Sequence, residues 1–278
     1  NLELYRFARL IPVIATWDDH DYGSNGGGRD YKYRNESKQI FLSFFPQSYS
    51  WDNFMTGPGV ASRFTMGEQK FVLLDNRSFR SEGGQSPICR KKKDSPFCKP
   101  HAMTEPRKKE EEAHFGVQQS DWALTEVQSA GSDVVWMISG DQWFGAYSPF
   151  ESFEGGYPKD FKKFMGSLAS LPNSRVAFVS GDRHSSEISV IEPSLLGYQT
   201  IEVVSSPIHA RVFGNNWIDF PNSRQEASLY GAFNFAMITS SVADQNWNIH
   251  VRVIKQSEGN SGELAFERFY KILRPIAD

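Results

Sequence analysis

The sequence predicts an α/β layered fold, on three observations. Short apolar runs bounded by turn residues alternate with helical patterns. Long alternating segments close the chain. Polar residues of metal-binding type follow one apolar run after another. Strands and helices that take turns along a chain imply stacked layers around a shared core.

The elements follow in order. NLELYRFARL (1–10) reads as a helix and IPVIAT (11–16) as a buried strand. KFVLLD (70–75), DVVWMIS (133–139), RVAFVS (175–180) and TIEVVS (200–205) read as further buried strands, being short and β-branched. Ser120 is placed to cap a helix through DWALTEVQSA that stops near Gly131. In YPKDFKKFMGSLASLP, Phe161, Phe164, Leu168 and Leu171 share a helical face, with Pro158 in the first turn and Pro172 past the end. FNFAMITSSV and WNIHVRVIKQ form a closing antiparallel pair, to which GELAFERFYKI adds a strand.

Composition narrows the class. The chain has 278 residues, 39% hydrophobic and 14% aromatic, enough for a packed core and against disorder. It is expected to form a single domain over 1–278. No apolar run approaches the length of a membrane span. A net charge of −3 argues against a globally basic nucleic-acid binder. Cys89 and Cys98, with eight residues between them in a polar segment, do not fit the usual zinc pairs. A small disulfide-closed loop is expected, and with it an oxidising compartment, extracellular or periplasmic. From Arg90 to Lys109 eight basic residues face two acidic ones, and Glu110, Glu111 and Glu112 follow. This is either a solvated insertion or a positive lip for an anionic substrate; the glutamates weigh against the second.

In α/β folds ligands bind beyond the carboxyl ends of the strands. IPVIAT leads into Trp17-Asp18-Asp19-His20-Asp21, with Gly26, Gly27 and Gly28 beyond. KFVLLD leads into Asn76-Arg77, DVVWMIS into Gly140-Asp141-Gln142, and RVAFVS into Gly181-Asp182-Arg183-His184. TIEVVS leads towards His209. Each motif alone is an ordinary turn, but their recurrence points to one shared site. Carboxylate with imidazole suits Mn, Fe, Zn, Mg or Ca. Two ions about 3.5–4 Å apart can clamp a phosphate and generate hydroxide for in-line attack. An unligated histidine can protonate the leaving oxygen. His101 and His114 read as solvated, His250 as structural, and His209 as undecided.

IPVIATWDDHDYG, FVLLDNRSFR, QSDWALTEVQSAGSDVVWMISGDQ and VAFVSGDRHSSEIS resemble the PhoD-like alkaline phosphatases, relatives of the calcineurin-like metallophosphoesterases. The resemblance runs from about Leu10 to Ile254. It implies a four-layer αββα sandwich with mixed sheets and two or more metal ions, drawn from Fe, Ca, Mn or Zn. Asp19, Asp182 and His184 would be metal ligands, with Asp141 or Gln142 serving where the wider superfamily has a histidine. His20 would be the general acid. Arg77 would face the phosphate or form a structural ion pair. The substrate would be a phosphate ester, monoester or diester. The family's earlier strands, with an Asp-based ligand and a bridging Asp, have no counterpart upstream of Trp17. The chain is therefore expected to draw those ligands from a further segment or a second chain. A non-catalytic member that binds a phosphorylated ligand or a protein is the alternative. A serine hydrolase using Ser185 or Ser205 lacks the Gly-x-Ser-x-Gly elbow.

Overall fold

The computed structural model describes residues 13–45, 53–81, 113–131, 133–146, 152–171, 174–212, 222–243, 245–257 and 261–274. Among them the chain forms helix α1 (Asp19–Tyr22), helix α2 (Arg34–Phe44) and the antiparallel strands β1 (Ser62–Met66) and β2 (Gln69–Leu73). Helix α3 (Gly116–Ser129), strand β3 (Val134–Ile138) and helices α4 (Phe153–Gly156) and α5 (Pro158–Ala169) come next. They lead to strands β4 (Arg175–Ser180) and β5 (Ser186–Ile191), helix α6 (Pro193–Leu196) and strand β6 (Thr200–Ser205). The last strands are β7 (Gln225–Leu229), β8 (Asn234–Ala243), β9 (Asn246–Gln256) and β10 (Gly262–Leu273).

Seven strands form one mixed sheet in the order β1-β2-β3-β4-β6-β5-β7. Its centre, β2-β3-β4-β6, is parallel. Parallel neighbours need crossovers, and right-handed crossovers put consecutive helices on one face. That face holds the first core, where Val135, Met137, Val176 and Phe178 meet Ala123 and Val127 of α3 and Phe161, Phe164 and Leu168 of α5. The other face packs on the three-stranded antiparallel sheet β10-β9-β8. There Val134, Trp136, Ala177 and Val203 meet Trp247, Ile249 and Val251. The α/β sandwich of the sequence reading is thus present, with helices, a mixed seven-stranded sheet and a small antiparallel sheet as its described layers. The central strands are buried on both faces, which is why they read as unbroken apolar runs.

Three local expectations are corrected. Residues 13–16 belong to no described strand; Thr16 Oγ1 donates to the Leu74 carbonyl at 2.7 Å, while Val13 and Ile14 are exposed. β-branched residues make a strand only where a neighbour supplies pairing. Ser120 caps nothing: α3 begins four residues earlier. The longer helix brings Gln119 over the end of β2, where it accepts the Asp75 N–H at 2.8 Å and donates to the Asp75 carbonyl at 2.7 Å. His114 is fully buried rather than solvated. The expected helix at 1–10, Cys89, Cys98 and the basic 90–109 segment lie outside the described residues. Among the described residues no helix is long and apolar enough to cross a membrane.

Candidate metal centre

Three carboxylates converge beyond the carboxyl ends of the central strands. Oxygens of Asp18, Asp19 and Asp182 lie within 4.8 Å of one another. Asp18 and Asp19 come from the start of α1 and Asp182 from the turn after β4. That turn is unusual, since Asp182 and His184 both have positive φ, 63° and 55°. Non-glycine residues in this left-handed region are uncommon and gather at functional sites.

Each acid is held in place. Asp19 accepts its neighbour His20's N–H at 2.7 Å and the Gly26 N–H at 2.8 Å, so the glycine-rich loop folds back over it. Asp18 Oδ1 accepts Asn76 Nδ2 at 2.6 Å and Arg77 Nε at 2.7 Å, and Arg77 Nη2 bonds it too. Arg77 is fully buried. Its backbone N–H and that of Ser78 both donate to Asp75 Oδ1 at 2.8 Å, fixing the turn after β2. Burial pushes the Asp18 carboxyl above the usual range; Arg77 pulls it down, and Asp141 and Asp19 add to the rise. Like charges held together at such a cost suit a place where a cation binds. Gly140 closes the base: a Cβ there would stand 2.5 Å from the Trp17 carbonyl oxygen and 2.9 Å from Asp18 Cβ.

The other expected site residues fall around this group. His20 is exposed beside Asp19. His184 does not join the three carboxylates. Its Nδ1 bonds the Arg211 carbonyl. A carbonyl only accepts, so Nδ1 is the donor in this bond. Asp141 serves a second, closed cluster. It accepts Ser139 Oγ at 3.0 Å and His114 Nε2 at 3.1 Å, and pairs with Arg80 at 3.4 Å. Burial alone would raise the Asp141 carboxyl, but His114 and then Arg80 hold it below the usual carboxylate range. Burial lowers the pKa of His114, against the pull of Asp141. Gln142 is fully buried and turns its amide to Glu187 at 3.4 Å. Arg77 takes the ion-pair alternative, with Asp18 as partner.

Sequence reasoning gave no role to Asp18, Asn76, His114, Glu187 or Glu202. Asp18 stood in the motif, and its adjacency to Asp19 was the available signal. Glu187 and Glu202 lie inside strands, where a charged residue in an apolar run was the only hint.

A layered α/β sandwich with three carboxylates gathered beyond its strand ends defines the class: an α/β fold whose acidic group could hold a metal ion. The family model for PhoD-like phosphatase matches residues 1–248, and the chain belongs to that family. A solved structure of PhoD is similar, with a TM-score of 0.62 at 18% identity. The match covers 94% of this chain and 54% of that one, so this chain spans about half of its length. No curated protein matches the sequence.

Proposed function

We propose that this chain hydrolyses phosphate esters with the help of bound metal, Asp18, Asp19 and Asp182 supplying ligands and His20 the proton for the leaving oxygen. The observation that carries the reading is the three-carboxylate group at the strand ends. The donor set fits the role: oxygens alone, close together, favour Mg, Mn, Ca or ferric iron over soft metals. A cation held there supplies Lewis-acid polarisation of a phosphoryl oxygen. The chain's own residues do the rest. Arg77 and Asn76 hold Asp18, Gly26 holds Asp19, and exposed His20 stands where a leaving group meets solvent. Three carboxylates leave a cation of about six-fold coordination short of ligands. The reading therefore assigns the remaining positions to water, His184, and a further segment or second chain.

The test uses the metal-stripped chain, added Mn2+, and p-nitrophenyl phosphate beside bis(p-nitrophenyl) phosphate. Asp182→Asn is expected to lose bound metal and more than about a hundredfold of turnover. His20→Ala is expected to keep the metal and lose on the order of a hundredfold in rate. Full turnover in Asp182→Asn would end the reading. Mn2+ and phosphate binding by the wild type without turnover would favour the non-catalytic alternative. The preferred substrate of the pair decides between monoesterase and diesterase.

A further inference from the structure

Glu202 is a buried carboxylate that the mechanism above does not use. It sits in β6 between Phe178 of β4 and Ser189 of β5, and none of its surface reaches solvent. Its neighbours Ile201 and Val203 face the small sheet. Glu202 therefore points to the helical side, by the alternation of a strand. There Oε1 accepts the Trp143 N–H at 2.7 Å and Ser180 Oγ at 2.6 Å, and Oε2 accepts the Phe144 N–H at 3.0 Å. A carboxylate with three donors and no contact with water is an expensive core residue, and an apolar one would leave two backbone donors buried and unmet.

The donors belong to the two segments that bear the site. Trp143 and Phe144 follow Gly140-Asp141-Gln142 after β3. Ser180 ends β4, two residues before Asp182. Two backbone bonds carry the β3–β4 pairing past the strand ends: Ser139 N–H to Val179 at 3.0 Å and Gly181 N–H to Gly140 at 3.0 Å. Glu202 fastens the same two segments from below. Beside it, Glu187 Oε1 accepts Asn222 Nδ2 at 2.7 Å and Gln142 Nε2 at 3.4 Å, and Asn222 also donates to the Phe144 carbonyl at 2.9 Å.

We propose that Glu202 is a positioning residue that locks the loop after β3 to the turn after β4 and so sets the place of Asp182 within the carboxylate group. This deepens the metal-site reading and rests on it. The coupling itself is measurable without metal, as amide hydrogen exchange at Trp143 and Phe144. Glu202→Gln keeps the shape and replaces one acceptor by a donor. It is expected to speed exchange at both amides by about tenfold or more. Ser180→Ala touches neither amide and removes only the other end of the clamp. It is expected to speed the same two amides about threefold, while amides of β9 stay unchanged. Unchanged protection of Trp143 and Phe144 in Ser180→Ala would overturn the coupling, even if Glu202→Gln failed to fold.

The metal arm is Mn2+ affinity by titration calorimetry. Glu202→Gln is expected to bind about tenfold more weakly at the same stoichiometry, the usual effect of removing a group behind a ligand. Equal affinity in variant and wild type would overturn the link to Asp182. Failure of the wild type to bind Mn2+ would instead overturn the metal-site reading, and hydrogen exchange would still decide the coupling.

Discussion

Two acidic constellations stand at neighbouring strand ends, and their charge balance differs. Around Asp141, one carboxylate meets Arg80, the ring of His114 and the Ser139 hydroxyl, all buried. Around Asp18, three carboxylates gather, and the Arg77 guanidinium pairs with Asp18. The first cluster is buried, and its carboxylate meets a guanidinium, an imidazole and a hydroxyl. The second brings three carboxylates within 4.8 Å of one another at a partly exposed edge. Carboxylates crowded at an edge suit a cation, whereas a buried ion pair suits packing. The difference separates Asp19 and Asp182 from Asp141 as ligand candidates, although all three follow strand-end motifs.

The largest expected effect breaks the comparison open in stability. In metal-free protein, Asp141→Asn removes the buried charge that pairs with Arg80 and is expected to cost about 3–5 kcal/mol by urea unfolding. Asp182→Asn relieves repulsion, and asparagine tolerates the left-handed backbone there. It is expected to leave stability unchanged or raise it by about 0.5–1 kcal/mol. Equal losses in the two variants would mean that both clusters are structural.

The same contrast marks what the sequence made legible. The small sheet was readable because one side is buried: Trp247, Ile249, Val251 and Val253 alternate with more exposed residues along β9. Strands β2, β3, β4 and β6 were readable as apolar runs, and α5 from its phenylalanine stripe and its prolines. Strand β5 was not, because its buried side chains include Ser186, Glu187 and Ser189, which look like loop residues. Within the site, Asp19 and Asp182 stood out by motif. The pairing of His114 with Asp141 crosses 27 positions, and that of Arg77 with Asp18 crosses 59. No periodicity encodes such contacts, so His114 read as surface and Arg77 stayed undecided between phosphate and ion pair.

Glu202 sharpens the comparison through pH. It lies under both constellations, and burial pushes its carboxyl from an ordinary value near 4.5 up to about 7, against the pull of Ser180 and the two backbone donors. A folded-state pKa above the unfolded one means that the native chain holds the extra proton between those values. Stability therefore falls as pH rises from about 4.5 through about 7, by up to about 3 kcal/mol from this group. Urea unfolding at pH 5.0 and 7.5 measures the change, and subtracting the same change in Glu202→Gln isolates it. A wild type that loses no more stability than Glu202→Gln over this interval would show that the three donors hold Glu202 ionised throughout.

The smallest expected effect tests whether close packing alone places Asp18. Gly140 belongs to the same strand-end turn as Asp141, yet it touches the open cluster: a Cβ would press on the Trp17 carbonyl and on Asp18 Cβ, with Asn76 Oδ1 at 3.0 Å. At Gly181, in the neighbouring turn, the nearest atom would be the Gly140 carbonyl oxygen at 3.2 Å. Backbone atoms cannot swing aside as side chains do, so Gly140→Ala must shift α1 or the loop after β3. It is expected to cost about 1–3 kcal/mol by overpacking, and Gly181→Ala less. Because the shift falls on Asp18, Gly140→Ala should also weaken Mn2+ binding, whereas an equal stability loss in the distant core should not. Intact Mn2+ affinity in a destabilised Gly140→Ala would mean that Asp18 follows Arg77 and Asn76 rather than the packing beneath it.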